Sequence, residues 1–249
     1  MHKPHLSKPI STLELSFEVV DNRPDWPVVA IRVSGQDPFA AVASQWRGFD
    51  PEKILGEHSP LLPHEPHGRR VALYRCSCGE AGCGVIAPVI VPSPDRSHVS
   101  WVDFRDYTGV FVGPVYDDVH NHEGREWELS DLHFDREQYE AEVRRITSDS
   151  TWETDRRRTA RLVKERLEPM SLTLPPDLTL SWVSPAWSDD GVTIMFAHVT
   201  WGEHPSVQQQ MLHLTSQPAD PEMAADDIVH QLLTTPDNDW VATFGHDPR

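Results

Sequence analysis

Apolar and polar residues alternate over residues 13–19, near the start of the chain. A period of two is typical of a strand that buries one face. Turn-forming residues at 21–25 lead to a second apolar run at 28–33, which has the composition of another strand. The pattern therefore predicts an N-terminal β-hairpin.

The hydrophobic period then changes to that of a helix. Asp37 can cap and Pro38 can open a helix that reaches Trp46, because apolar residues recur there at helical spacing. A shorter helix is expected to begin at Pro51 and to end at Gly56. We expect two helices after the hairpin, followed by an irregular loop rich in proline and histidine.

Three short apolar runs in the middle of the chain have the pattern of strands. They cover residues 71–78, 85–91 and 99–104, with a tight turn between the first two. Consecutive strands with short connections predict one antiparallel meander. Residues 106–131 hold few periodic apolar positions and many turn formers, so we expect a long loop there.

Two charged helical segments follow the meander. Asp135 with Gln138 has the spacing of a capping box, and so does Ser150 with Glu153. Apolar residues recur at helical spacing after each pair, as far as Leu167. The pattern predicts two helices, or one helix kinked near residue 148.

The last third of the chain returns to strands and ends with a helix. The strands are expected at 178–183, 192–199 and 207–214, and the helix at 220–233. Its apolar positions lie on one face, which predicts a β-β-β-α unit.

The order of strands, helices, strands and helix indicates an α+β fold with antiparallel sheets and a central charged helical segment. We expect an α+β domain over residues 1–169 and an acidic β-β-β-α unit over 170–249. These two parts either form separate domains or share one sheet. A chain of 249 residues is long enough for both arrangements.

Composition and targeting signals indicate a globular protein of the cytoplasm. Hydrophobic residues make up 38% of the chain and charged residues 24%, values typical of a packed domain. No apolar run approaches the roughly 18 residues that a membrane span needs, and residues 1–10 lack the apolar core of a signal peptide. We expect no membrane association.

Charge adds a prediction about partners. The formal net charge is −17, and residues 170–249 hold eleven acidic groups against one basic group. Such a field repels nucleic acids and attracts basic proteins. We expect a basic protein partner, as for an immunity protein, antitoxin or nucleic-acid mimic, with contacts at Asp189, Asp190, Asp226 and Asp227. The alternative is that the acidity only maintains solubility.

All three cysteines lie in the segment YRCSCGEAGCG, at Cys76, Cys78 and Cys83. In a tight hairpin their thiols would share one face and could bind Zn²⁺, with His98 or His67 as a candidate fourth ligand. The alternatives are inert reduced thiols or a disulfide between Cys78 and Cys83. Zinc is therefore the one cofactor that the sequence suggests.

This segment carries a resemblance to other proteins. The pattern C-x-C-G-x-x-G-C is followed by Val99, Trp101 and Phe104, and then by Phe134 and Tyr139 before a charged helix. This combination resembles a group of actinobacterial hypothetical proteins without an assigned activity, over about residues 70–168. The resemblance implies a shared architecture and no particular chemistry.

Two further charged segments are weaker candidates. Residues 117–123 combine carboxylates and imidazoles, but in a polar loop such a group is usually solvated. A basic stripe over 156–166 alternates with acidic residues, which is typical of charge pairs on a solvated helix face. No nucleophile elbow, phosphate loop or zinc-protease motif occurs. We assign no catalytic residue and favour a non-enzymatic protein.

Overall fold

The computed structural model describes residues 9–41, 43, 45–63, 66–187, 190–200 and 206–246. The fold is α+β with antiparallel sheets, as predicted. The chain divides into two compact units, Met1–Trp152 and Glu153–Arg249. Within the described ranges, no helix has the length and apolar character needed to cross a membrane.

The first unit contains nine strands and two α-helices among its described residues. In chain order they are β1 (Leu13–Val19), β2 (Pro27–Val33), β3 (Arg47–Gly48), α1 (Pro51–Ile54), β4 (Arg69–Arg70), β5 (Tyr74–Arg75), β6 (Val85–Pro92), β7 (His98–Tyr107), β8 (Arg125–Glu126), β9 (Leu132–Asp135) and α2 (Arg136–Ser148). β1 and β2 form the predicted hairpin. The larger sheet has the order β3-β5-β6-β7-β8, with β4 on β6 and β9 on β7.

Helix α2 covers the free edge of β1. Gln138 accepts a hydrogen bond from the Leu13 N–H at 3.1 Å and donates one to its carbonyl at 2.7 Å. Glu142 accepts from the Leu15 N–H at 2.6 Å. These side chains replace a missing strand, so the edge is protected from pairing with another chain. The apolar face of α2 joins a core that includes Trp101.

The first predicted helix is wrong for the described residues from Asp37 to Trp46. The Phe39 N–H donates to Asp37 Oδ1 at 2.8 Å, and the segment continues as turns. A short polar side chain that binds the backbone two residues on competes with helix formation. Val42 and Ser44 lie outside the described residues.

The central meander contains a bulge at a proline. β6 pairs with β7 from Val85↔Tyr107 to Pro92↔Val99, but the register shifts between Ala87 and Val89. Pro88 lies at this shift and has no N–H for the ladder, which explains the interruption. On β7 the extra residue is Asp103, whose φ of 49° is in the left-handed region.

The two charged helices begin at different kinds of cap. Asp135 accepts from the Gln138 N–H at 2.9 Å, as predicted for α2. The second helix is capped by Thr154, which accepts from the Arg157 N–H at 3.2 Å, so the predicted cap at Ser150 is wrong. Asp149 instead accepts from the Thr151 N–H and holds residues 149–151 in a turn.

The second unit contains the predicted β-β-β-α arrangement together with the second charged helix. Its elements are α3 (Asp155–Leu167), β10 (Thr173–Leu174), β11 (Leu178–Pro185), β12 (Val192–Thr200), β13 (Ser206–Leu214), α4 (Pro221–Thr234), α5 (Trp240–Phe244) and β14 (Gly245–His246). The five strands form one antiparallel sheet in chain order.

Helix α3 explains why the division lies before residue 153 and not after 169. Its apolar residues Ala160, Val163 and Leu167 are buried in the same core as Ile228 and Leu232 of α4. An amphipathic helix belongs with the core that covers its apolar stripe. The charged segment is therefore split, with α2 in the first unit and α3 in the second.

Candidate functional site

The three cysteines lie in the loop that joins β5 to β6. The Cys76 N–H donates to the Gly84 carbonyl at 2.9 Å and closes the loop at its base. The Gly79 N–H donates to the Cys76 carbonyl at 2.9 Å, with Gly79 at a φ of 89°. This turn needs glycine, because left-handed φ values strain other residues.

The loop is wider than the sequence predicted. The strand expected over 71–78 is regular only at Tyr74–Arg75, and Ala81–Cys83 forms a single turn of 3₁₀ helix. Cys78 and Cys83 therefore face each other inside a loop and not across paired strands. The 3₁₀ turn at Ala81–Cys83 folds the loop back toward Cys76, so the thiols come together without strand pairing between the cysteines.

The three sulfurs form a compact group. They lie within 4.8 Å of one another, with Cys76 half-buried and Cys78 and Cys83 exposed. None of the three cysteines is in a disulfide bond. In a tetrahedral zinc site with Zn–S bonds of about 2.3 Å, the sulfurs lie about 3.8 Å apart. Exposed side chains can move by the remaining distance, so this group can hold a metal ion.

The electrostatics of the loop distinguish the thiols. Hydrogen bonding from the Cys78 backbone N–H, together with the neighbouring thiols, lowers the pKa of Cys76. The hydrogen bond to Cys76 raises the pKa of Cys83 to about 11. The thiolate form is therefore favoured on Cys76 over Cys83, and a thiolate is the form that binds metal.

The predicted fourth ligand is at the wrong end of the hairpin. The cysteine loop adjoins the Val85↔Tyr107 end of the β6–β7 ladder, whereas His98 starts β7 at the other end. Seven strand residues separate the two ends by roughly 20 Å. The His98 ring hydrogen-bonds Ser97 instead. Across the described ranges, no histidine or carboxylate joins the sulfur group.

The segment 117–123 is a polar loop, as expected. Asp117–Asn121 forms a short 3₁₀ helix in which the His120 ring lies 3.3 Å from the Asp117 carbonyl. The Asp117 carboxylate pairs with Arg69 at 2.9 Å. These side chains line a cleft, and they do not assemble into a metal site among the residues that the structure describes.

The basic stripe of α3 forms the expected charge pairs. Arg161 pairs with Glu153 and Glu165 at 2.6 and 2.9 Å. Arg166 pairs with Glu222 of α4 at 2.8 Å. The stripe is therefore largely neutralised by its own unit, which argues against phosphate binding there.

The four predicted partner-binding aspartates differ in their surroundings. Asp190 is fully exposed and lies 3.9 Å from Arg156, and Asp226 lies 3.5 Å from Arg166. Asp227 accepts hydrogen bonds from Ser216 at 2.9 Å and Gln231 at 3.0 Å. Asp189 lies outside the described residues. Asp227 thus has a structural role that its sequence position did not indicate.

A cluster of arginines around Asp103 was missed entirely by sequence reasoning. Arg70 and Arg105 both pair with Asp103, beside the cleft that Asp117 also lines. Arg70 and Asp103 are 33 residues apart in sequence, and neither they nor Arg105 belong to a motif. The only local signal is Pro88 in a strand, which favours a bulge.

No protein-family model matches the chain, and neither a curated protein nor a solved structure matches it significantly.

Proposed function

We propose that this protein binds a thiophilic metal ion, with zinc the expected one, through Cys76, Cys78 and Cys83. The observation that carries the proposal is the convergence of three sulfurs within 4.8 Å in one short loop. Thiolates are preferred ligands of Zn²⁺ and of other soft cations.

The surroundings of the sulfurs support a three-thiolate site with an open position. The hydrogen bond from the Cys76 N–H to the Gly84 carbonyl fixes the base of the loop. The loop therefore loses less conformational entropy when it binds metal. Two of the three sulfurs are exposed. Structural zinc sites are usually closed by four protein ligands. A three-ligand site at the surface suits a metal that exchanges or whose fourth ligand is a water molecule.

Metal analysis and cobalt substitution test this proposal. Protein purified under reducing conditions should hold about one equivalent of zinc, and Co²⁺ should produce thiolate charge-transfer absorption. Cys76→Ser, Cys78→Ser and Cys83→Ser should each remove most of both signals, whereas Glu80→Gln, an exposed change in the same loop, should retain them. Metal that persists in the triple serine variant, or wild type that binds neither ion, would refute the site.

A second candidate function is the binding of a basic protein through the acidic second unit. The second unit, Glu153–Arg249, carries 15 acidic groups against seven basic groups, and eleven of the acidic groups lie in residues 170–249 beside a single basic group. The Asp190 side chain is fully exposed, and that of Asp226 is 74% exposed. Exposed charge of one sign steers an oppositely charged partner and raises its association rate.

A salt series with matched variants tests this second function. Capture of a basic partner should weaken between low salt and about 0.15 M salt, where the Debye length falls to about 8 Å. Asp190→Asn with Asp226→Asn should slow association, while Glu57→Gln, an exposed charge of the first unit, should not. Asp227 is excluded from this test because its substitution would disturb contacts within the unit. An association rate that is the same in wild type and in the double aspartate variant would contradict the proposal.

A further inference from the structure

A cleft of about 620 Å³ lies in the first unit, apart from the cysteine loop. Its volume is within the range of small-molecule sites. Most of its lining is polar. The basic and aromatic side chains that line it are Arg69, Arg70, Arg105, His67, His120, His122, Tyr107 and Tyr116. The same lining holds three carboxylates, Asp103, Asp117 and Glu123, which balance the formal charge of the three arginines.

Arg70 anchors one side of the cleft at the bulge. Its Nη1 donates to the Ala87 carbonyl at 2.6 Å and to the Asp103 carbonyl at 2.7 Å. Its Nη2 pairs with the Asp103 carboxylate, and the guanidinium lies 5.6 Å from the centre of the Tyr107 ring. Only 11% of the side chain is exposed. Arg70 is thus a fixed positive charge that orients Asp103.

Asp103 in turn orients Arg105. Arg105 Nε lies 2.9 and 3.1 Å from the two carboxylate oxygens, and its Nη1 donates to the Gly124 carbonyl at 3.3 Å. These contacts occupy the Nε and Nη1 groups of the guanidinium. The Nη2 amino group has no protein acceptor among the described residues, so it is available to a ligand in the cleft.

Arg69 provides a second oriented guanidinium. Its Nη2 pairs with Asp117 at 2.9 Å, and 45% of its side chain is exposed. The guanidiniums of Arg69, Arg70 and Arg105 are paired with two carboxylates, those of Asp117 and Asp103. The carboxylate of Glu123 in the same lining balances the third positive charge. The rings of Tyr116 and His122, 5.8 Å apart, add an aromatic wall.

We propose that this cleft binds a small organic phosphate. Arg105 and Arg69 would donate to the phosphate oxygens, since guanidinium matches phosphate geometry and carries a permanent charge. Tyr116 and His122 would contact the organic part. Arg70 and Asp103 are positioning residues that hold Arg105 in place. Two separate donors favour a phosphate dianion, with three acceptor oxygens, over a carboxylate.

Calorimetric titration of the full chain with phenyl phosphate, inorganic phosphate and benzoate tests the proposal. We expect saturable binding of phenyl phosphate, weaker binding of inorganic phosphate and the weakest binding of benzoate. Arg105→Gln and Arg69→Gln should each weaken phenyl phosphate about tenfold, the loss expected for one charge-assisted hydrogen bond. Glu123→Gln should strengthen it about twofold, because it removes an opposing charge.

The controls separate this site from the rest of the molecule. Arg32→Gln removes an exposed arginine on β2 and should leave the affinity unchanged. Cys76→Ser should also leave it unchanged, so this result is independent of metal binding. Arg69 is at the exposed rim, so its variant tests the site even if Arg105→Gln disturbs the bulge. Absence of saturable binding, equal affinity for benzoate, or an equal loss in Arg32→Gln would overturn the proposal.

Discussion

The Cys76 N–H donates to the Gly84 carbonyl at 2.9 Å, so the loop that carries the thiols is closed at its base. Gly84 also packs against Trp46, where an added Cβ would lie 2.9 Å from the ring. The base of the loop is therefore fixed by the sheet, whereas its tip, with Cys78 and Cys83, is exposed to solvent. Metal binding would order the tip more than the base.

Metal should stabilise the wild-type fold and not the triple variant that replaces Cys76, Cys78 and Cys83 by serine. At a free zinc concentration of about 100 Kd, linkage predicts about 2.7 kcal/mol of added unfolding free energy. Urea denaturation with zinc and with chelator measures the difference. The chelated proteins should unfold at similar urea concentrations, and Glu80→Gln should behave as wild type. An equal zinc effect in the triple variant would show that the metal binds elsewhere.

The apolar face of α4 offers a stability test of the second unit. Ile228 is 1% exposed and belongs to the core shared with α3. Replacing it with alanine should lower the unfolding free energy by about 2–5 kcal/mol. Met223 lies on the same helix but is 60% exposed, so Met223→Ala should cost less than about 0.5 kcal/mol. Similar losses in the two variants would contradict the assigned helix face.

The helices and long strands follow from local patterns that the sequence displays. Asp135 caps α2 as expected, and Asp220 caps α4 at the predicted start of that helix, since capping depends on a few neighbouring residues. The Asp37 segment has the same local signals but forms turns. Asp37 can bind the backbone in a turn as well as in a helix, and tertiary packing decides between them.

The candidate sites were predictable only in part, because local sequence patterns do not encode contacts between distant strands. Clustering of Cys76, Cys78 and Cys83 follows from their proximity in sequence and is confirmed. The suggestion of His98 was wrong because, in the antiparallel meander, the start of β7 lies at the opposite end of β6 from the cysteine loop. The Arg70–Asp103 pair joins residues on two strands around a bulge, and no sequence period encodes that contact.

A buried hydrogen-bond chain makes Tyr139 a test of the first core. Trp101 Nε1 donates to the Tyr139 hydroxyl at 3.1 Å, and that hydroxyl donates to the Leu61 carbonyl at 2.8 Å. Tyr139→Phe leaves both partners buried and unpaired, so it should cost about 1–3 kcal/mol in unfolding free energy. Tyr116 is half-buried and takes no part in these hydrogen bonds, so Tyr116→Phe is the control and should lower the unfolding free energy by less. A neutral Tyr139→Phe would show that water replaces the hydroxyl.

The ion pairs of Asp103 should make the unfolding free energy of the first unit depend on pH. Partial burial acts to raise the pKa of its carboxyl, but the hydrogen bonds from Arg105 and Arg70 outweigh that effect and lower the pKa. A carboxyl with a lowered folded pKa contributes stability above its unfolded pKa, about 3.9, and loses it as the pH falls through the folded value. Asp103→Asn should therefore lower the unfolding free energy at pH 7 by about 1.5 kcal/mol, the low end of the range for hydrogen bonds to a charged group, because 40% of the side chain is exposed.

The difference in unfolding free energy between wild type and Asp103→Asn should be constant from pH 7 to pH 5. It should then shrink as the pH falls below about 4, because the protonated wild-type carboxyl becomes similar to the amide. Urea denaturation of both proteins across this range measures it. The remaining carboxyls titrate in both proteins and largely cancel. Asp131→Asn, an exposed change, should show no such trend. A difference that does not shrink at all below about pH 4 would mean that the side chain acts through its shape and not through its charge.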